Sequence, residues 1–498
     1  MCGIVAIVGP GASQYTKTAN TMLERIAHRG PDDEGISVLD DITLGQKRLS
    51  IIDVAGGHQP IFTVDKQKCI VCNGEIYNYR KLKKELPHHH FGTRSDTESI
   101  LHLYEEVGEE CFSQLDGMFA CVLHDGEDTY VARDPLGIKP LYEGHKDDCT
   151  FFASEIKALD GFVDDIKEFP PGYYFSTDKG YVSYYDIPTD LHLERDMDTI
   201  TARIREKLTQ AVSKRLMSDV PLGVFLSGGI DSSIIAAVAR RSKDPLQSFS
   251  VGMAGSPDLK YARMVADFLD TEHYEYIYDQ EEILKILPEV IYHLESYDPP
   301  LVRSAIPCFF VSRLASQYVK VILTGEGSDE LFAGYHYFHD IDEKKQLHDE
   351  SLRIVSGLHN LNLQRVDRLT MAHSIEGRVP FLDIDFVEYA ASIDPQLKLS
   401  GEDRIEKWLL RKAFDGYLPD EVLWRTKMEF ADGCGSGDLL GEYAERHISD
   451  EEFAAERQPA DGIELGSKEE LYYYRIFDRL FHNPQISDTM GKWEGSVQ

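Results

Sequence analysis

Apolar and polar positions along this chain fall into two textures, and the change comes near residue 190. Before it, short β-branched and aromatic runs dominate: "GIVAIVG", "CIVCNG", "MFACVLHD", "DTYVARD", "TFFASE", "GYYFST" and "GYVSYYD". Runs this short, parted by Gly, Asp and Pro, predict antiparallel strands. Few helices interrupt them. One is "QYTKTANTMLERIAHR", where Tyr15, Ala19, Met22, Leu23 and Ile26 recur on one face. The pattern predicts an α+β domain of antiparallel sheets layered with helices.

After "PTDLHLERDMD" strands alternate with long helices. "VPLGVFLSGG" leads to "DSSIIAAVARR", "QSFSVGM" to "YARMVADFLD", and "HYEYIYD" to "EEILKILPEVIYHLE", before "YVKVILTGEG". This alternation predicts an α/β domain with a doubly wound, mostly parallel sheet. The boundary is expected between residues 188 and 200, dividing the chain into 1–190 and 195–498. No internal repeat is visible, and the acidic tail after Lys427 offers no readable pattern.

Composition narrows the function classes. A chain of 498 residues exceeds one ordinary core, which agrees with two domains. Its 86 acidic against 52 basic residues give a formal charge of -34, which repels phosphate backbones and anionic lipid. Nucleic-acid and membrane binding are therefore not expected, and no apolar run is long enough to span a bilayer. The 8 cysteines are scattered, and the start lacks the basic flank and cleavage site of a signal peptide. They read as reduced thiols of a cytoplasmic protein. Cys69 and Cys72 form a C-x-x-C, but on a strand they point to opposite faces and make a poor metal pair. His88 to His90, after Pro87, read as a solvated turn.

Two loops carry the strongest chemical signal. In "VFLSGGIDSS" a strand ending at Leu226 runs through Ser227, Gly228 and Gly229 into a helix opened by Asp231, Ser232 and Ser233. Glycines let backbone approach a ligand, and free N–H groups at a helix start favour an anion. It is not a Walker A loop, since no G-x-x-x-x-G-K-[ST] is present. The plain alternative is a capped strand-to-helix turn. The second loop runs Thr324-Gly325-Glu326-Gly327-Ser328-Asp329-Glu330, also after a buried strand. In an open α/β sheet both loops lie beyond the strands' carboxyl ends. Asp231 and Asp329 are candidate ligands for a shared Mg²⁺, and Glu326 is a further carboxylate for substrate contact or proton transfer.

"LSGGIDSS" resembles the pyrophosphate loop of the ATP pyrophosphatase superfamily. With "SFSVGM", "TGEGSDELFAGY", "EGRVPFLD" and "WRTKMEFADG", the second half is similar to glutamine-dependent asparagine synthetases. That resemblance implies ATP as substrate and Mg²⁺ as cofactor. It implies that Leu226, Val251 and Gly325 hold adenosine, and that Ser227, Gly228, Gly229, Asp231, Ser232, Thr324 and Asp329 face the phosphates. Arg303 and Lys427 would bring positive charge, and Glu326 would serve β-aspartyl-AMP formation. Thr324 stands where many relatives carry serine, which keeps the hydroxyl. No long C-terminal extension is present, so a tail covering the site is not assigned.

The first half resembles the class II, N-terminal-nucleophile glutamine amidotransferases through "MCGI", "HRGPDDEG", "QKRLSIID", "CNGEIYNY" and "RSDTES". By that resemblance Cys2, freed of Met1, attacks the glutamine side-chain amide. Arg48, with Leu49, Ser50 and Ile51, would hold the α-carboxylate; Glu75 and Asp96 would take the α-amine; Asn73 and Gly74 would stabilise the oxyanion. The residue types suit that chemistry without the name. A thiol needs a base, which its own α-amine supplies, and a zwitterion needs a guanidinium and acids. The implied partners are glutamine, aspartate and ATP, with a homodimer left open. The rival readings are an amide ligase of the same build acting on another carboxylic acid, a sugar-phosphate amidotransferase, and a non-catalytic binder.

Overall fold

All seven residues of Cys2–Val8 are buried, because this strand lies inside a sheet covered on both faces. The structure is a computed structural model describing residues 2–190, 195–399, 405–460 and 462–493. Met1 and part of the expected boundary, 191–194, lie outside the described residues.

In the N-terminal half the strands are β1 (Cys2–Val8), β2 (Asp33–Val38), β3 (Ile42–Arg48), β4 (Ile61–Phe62), β5 (Cys69–Ile76) and β6 (Gly117–His124). They continue with β7 (Thr129–Arg133), β8 (Tyr142–Lys146), β9 (Cys149–Ala153), β10 (Lys167–Glu168), β11 (Tyr173–Ser176) and β12 (Gly180–Ser183). The helices are α1 (Thr16–Arg25), α2 (Tyr79–Glu85), α3 (Glu98–Val107) and α4 (Ile156–Leu159). One six-stranded sheet has the order β10-β8-β9-β1-β3-β2 and the other β12-β11-β7-β6-β5-β4. Their pairings are antiparallel.

The pleat explains the layering, since successive side chains point to opposite faces. Ile4, Ala6 and Val8 of β1 meet Val71, Val122 and Val131 of the second sheet in a core between the sheets. Val5 and Ile7 face outward onto Met22 and Leu23 of α1 and Ile156 of α4. On the far side Ile70, Cys72 and Ile76 pack under α2 and α3. The result is a helix–sheet–sheet–helix sandwich, and Cys69 and Cys72 do lie on opposite faces of β5.

The C-terminal half continues with α5 (Met197–Arg215), β13 (Leu222–Phe225), α6 (Ile230–Arg240), β14 (Gln247–Gly252), α7 (Pro257–Leu269) and β15 (Glu272–Ile277). Then come α8 (Gln280–Leu294), α9 (Pro299–Ala315), β16 (Val321–Leu323), α10 (Ser328–Leu331), α11 (Lys344–Ser356), α12 (Asn362–Met371) and β17 (Glu376–Arg378). The sheet order is β15-β14-β13-β16-β17, with parallel pairings throughout. Helices α5, α6 and α7 cover one face and α8 and α9 the other. This is the doubly wound α/β arrangement the alternation predicts. The chain reverses its direction of winding between β13 and β16, so the two loops meet at a topological switch point. Among the described residues no helix is long and apolar enough to cross a membrane.

The two halves share cores: Ile51, Ile52 and Tyr77 pack in one cluster with Ile200, Ile204 and Leu208 of α5. A seam of buried ion pairs adds to this. Arg29 donates to Asp367 (2.7 Å), and Lys157 Nζ lies 3.0 Å from Glu295 Oε1. Charges this deep are tolerated only when paired, so they fix the relative placement of the halves.

Candidate active sites

The first site forms where β1 begins, β3 ends and β5 ends. Register places Cys2 opposite Arg48 across the β1–β3 pair, so the thiol and the guanidinium share one end of the sheet. Facing them from the second sheet is Asn73, whose Oδ1 accepts a hydrogen bond from the Cys2 backbone nitrogen at 3.0 Å. That nitrogen is the one that becomes the α-amine if Met1 is removed. Asn73 Nδ2 is buried with no hydrogen-bond partner, which leaves a fixed donor beside the thiol. Gly74 has φ +154, and a Cβ there would sit 2.0 Å from the Met118 carbonyl oxygen, so glycine is required.

Burial pushes the Cys2 thiol up, while the Leu49 backbone N–H and Arg48 pull it partly back. The thiol therefore needs a base close by to become a thiolate. Burial, then the charges of Glu376 and Asp96, push Glu75 well above the usual carboxylate range. Burial also lifts Asp96, which accepts from the Ile76 backbone N–H at 2.7 Å. Buried acids without enough counter-charge are what an incoming ammonium would satisfy. Arg48 donates to the carbonyls of Ile52 (3.0 Å) and Asp53 (2.9 Å), so the loop after Leu49, Ser50 and Ile51 wraps its guanidinium.

The second site is a cavity of about 560 Å³ at the switch point. It is lined by Leu226, Ser227, Gly229, Asp231 and Ser232 from the first loop and by Thr324, Gly325, Glu326 and Asp329 from the second. Val251, Arg303 and Lys427 complete the expected set. Gly228 lines no part of it. It has φ +72, and a Cβ would fall 2.4 Å from the Ala262 backbone nitrogen, so it serves the turn from behind. The two loops touch: Ser328 Oγ donates to Asp231 Oδ1 at 2.6 Å. Thr324 Oγ1 is buried with no partner.

Sequence reasoning missed Lys407. Its side chain is 1% exposed, and its Nζ lies 2.6 Å from Asp231 Oδ2 and 2.8 Å from Asp329 Oδ1. Burial works against the charge of Asp329, but Lys407 and then Lys427 hold its carboxyl far below the usual range. Asp231 and Asp329 also line the cavity, and carboxylate oxygens are the donor type that Mg²⁺ takes. Lys407 adopts φ 57, a conformation uncommon outside glycine that no spacing in "RIEKWLLRK" announces. Arg365, also missed, donates to Glu326 Oε1 at 2.6 Å. Arg303 is turned toward Glu469, to which its Nε donates at 2.8 Å. The tail after Lys427 thus builds part of this site, supplying Met428, Glu429 and Phe430 to the cavity wall and Glu469 to its rim.

The two sites are linked by β17. Arg378 Nη2 lies 3.5 Å from Glu75 Oε2, and the carbonyl of the same Arg378 accepts from the Thr324 backbone N–H at 2.9 Å. A single arginine therefore reaches the acid of one site with its side chain and the loop of the other with its backbone.

Comparison with known proteins fits this division. A glutamine amidotransferase domain model matches residues 1–171, and an asparagine synthase model matches 203–351 and 340–494. The chain is 42% identical over 507 residues to asparagine synthetase [glutamine-hydrolyzing] 2 of Arabidopsis thaliana, covering 97% of this chain and 88% of that protein. It is 40% identical over 536 residues to a probable asparagine synthetase [glutamine-hydrolyzing] of Dictyostelium discoideum, covering 99% and 96%. A probable asparagine synthetase [glutamine-hydrolyzing] of Schizosaccharomyces pombe is 41% identical over 533 residues, with the same coverage of 99% and 96%. The chain belongs to the glutamine-hydrolysing asparagine synthetase family.

Proposed function

We propose that this chain converts aspartate, glutamine and ATP with water into asparagine, glutamate, AMP and pyrophosphate, residues 1–190 releasing ammonia and residues 195–498 using it. The Cys2 sulfur attacks the amide carbon of glutamine, its proton passing to the α-amine of the same residue. Asn73 Nδ2 and the backbone N–H of Gly74 take the oxyanion that forms. Ammonia departs with the proton, and water then hydrolyses the thioester to glutamate. Arg48 holds the substrate α-carboxylate. Glu75 and Asp96 turn their carboxyl groups to its ammonium.

In the second site a β-carboxylate oxygen of aspartate attacks the α-phosphorus of ATP and pyrophosphate leaves. Leu226, Val251 and Gly325 shape the adenosine end, and Ser227, Gly229 and Ser232 direct donors at the phosphates. Asp231 and Asp329 would hold Mg²⁺, which supplies charge neutralisation for the pyrophosphate. Lys427 and Arg303 add positive charge where negative charge develops. Ammonia attacks the β-aspartyl-AMP carbonyl, with Glu326 placed to accept the surplus proton, and AMP leaves.

Free ammonia is mostly protonated at neutral pH, so a protected path between the sites is part of this reading. All eight cysteines are free and buried, which supports work in a reducing cytoplasm. The observation that carries the proposal is the shared strand, β17, which joins Glu75 to the Thr324 loop. Incubation with ATP, Mg²⁺, glutamine and aspartate should yield asparagine, AMP and pyrophosphate in equal amounts. Amidation of another carboxylic acid in place of aspartate would select the runner-up ligase.

A further inference from the structure

A cluster of imidazoles and carboxylates lies in the N-terminal half, outside both sites. His89 sits on the turn after α2, and His102 and Glu105 lie on α3. His89 Nδ1 is 3.1 Å from Glu105 Oε2, and His102 Nδ1 is 2.8 Å from the same oxygen. One ligand atom from each residue falls within 4.8 Å of the others. The turn expected from "HHH" forms with His88 and His90 exposed, while His89 is turned inward.

The outer nitrogens sharpen the picture. His89 Nε2 lies 2.7 Å from Glu106 Oε1, and His102 Nε2 lies 3.5 Å from Glu98 Oε1. Each imidazole thus offers its inner nitrogen to a common point and its outer nitrogen to a separate carboxylate. That is the support a metal-bound histidine receives: the outer N–H donates to an acid, which fixes the tautomer and the ring plane.

The frame is rigid. His102 is buried, its ring meets Phe91 edge-on at 4.6 Å, and Glu98 accepts from the backbone N–H groups of Gly92 (2.6 Å) and Thr93 (2.8 Å). The stretch between His89 and α3 is therefore tied down before any ion arrives. Lys68, 3.7 Å from Glu105 Oε1, takes the other carboxylate oxygen and leaves Oε2 to the histidines.

The geometry points to a binding site for a borderline divalent cation of the Zn²⁺ class, formed by His89, His102 and Glu105 with a solvent ligand in the fourth position. Two imidazoles and one carboxylate favour Zn²⁺, Co²⁺ or Ni²⁺ over Mg²⁺ or Ca²⁺. The ion would clasp the turn to α3. Asp96, which hydrogen-bonds Ile76 in the glutamine site, stands just before the first turn of that helix, so the clasp steadies one wall of that site.

The test is titration of the chelator-treated full chain with Co²⁺, followed by visible absorption, with Zn²⁺ as competitor. One tetrahedral Co²⁺ per chain is expected, without thiolate charge-transfer bands, and unchanged in Cys2→Ser, which removes the competing thiol. His89→Ala and Glu105→Gln should each weaken binding by tenfold or more. Glu106→Gln, which removes only an outer carboxylate, should weaken it about tenfold. Zn²⁺ should raise the melting temperature of the wild type and leave that of His89→Ala unmoved. His89 stands on a surface turn, and glutamine hydrolysis by its variant checks that the fold survives. Absence of stoichiometric binding, or equal affinity in wild type, His89→Ala and Glu105→Gln, overturns the assignment and leaves an ordinary ion-pair cluster.

Discussion

The two proposed sites, one for glutamine and one for ATP, solve opposite electrostatic problems with opposite architectures. The first lies at strand ends inside an antiparallel sandwich, where Cys2, Arg48, Asn73, Glu75 and Asp96 are all at most 5% exposed. Burial raises the pKa of its acids, and the Asn73 Nδ2 donor is left unmatched. The second lies in loops beyond parallel strands, where Asp231 and Asp329 are held by Lys407. A small zwitterion carries no net charge and can enter a dry pocket that completes its pairs one by one. A polyphosphate carries several negative charges and needs cations in place before it arrives. The difference teaches that the strand type follows the ligand: pleated strand ends give fixed side-chain spacing, and parallel-strand loops give free backbone N–H groups.

The comparison breaks most sharply at Cys2. Cys2→Ala should reduce glutamine-dependent asparagine formation by about 10⁴-fold or more, while ammonia-dependent formation persists; loss of both by product assay contradicts the division. Next come two substitutions that each strike one side. Asn73→Ala should lower glutaminase kcat about 10²- to 10³-fold as an oxyanion donor is lost, with ammonia-dependent AMP formation intact. Asp231→Asn should do the reverse, lowering AMP release about 10²-fold while glutamate release continues. Parallel assay of glutamate and AMP reads both.

The smallest effect concerns stability. Burial, then the charge of Asp329, lifts Glu330 from 4.5 to about 7. The folded chain therefore keeps a proton that the unfolded chain has shed, and stability falls as pH rises from 4.5 toward 7. Glu330→Gln keeps the shape beside Tyr335 and removes that loss. Its melting temperature should exceed the wild type at pH ~8, by an amount worth up to about 3 kcal/mol, and match it near pH ~4. Equal melting curves at both pH values would show that Glu330 is not strained by its neighbours.

Most strands of both halves, the doubly wound sheet and the two glycine-bearing loops that line the cavity are legible in the sequence, because pleat alternation and glycine-bearing turns are local. Other elements were hidden. β3 is fully buried yet carries Thr43, Gln46, Lys47 and Arg48, so its composition argues against a core strand. α3 starts without a side-chain cap, and its apolar stretch is short enough to read either way. Contacts remote along the chain left no trace at all. Arg29 and Asp367 are 338 positions apart, and Arg303 meets Glu469 across 166. Lys407 sits in an unusual backbone conformation and belongs to no motif that would announce it.

The central claim is that one nitrogen passes through the protein from the strand-end site to the loop site. Glutamine carrying heavy nitrogen in its side-chain amide, supplied with ATP, aspartate and excess unlabelled ammonium, tests it by mass analysis of the asparagine formed. The account predicts asparagine carrying the heavy label well above its share of total free ammonia. Label diluted to the composition of the bulk ammonium pool would contradict it.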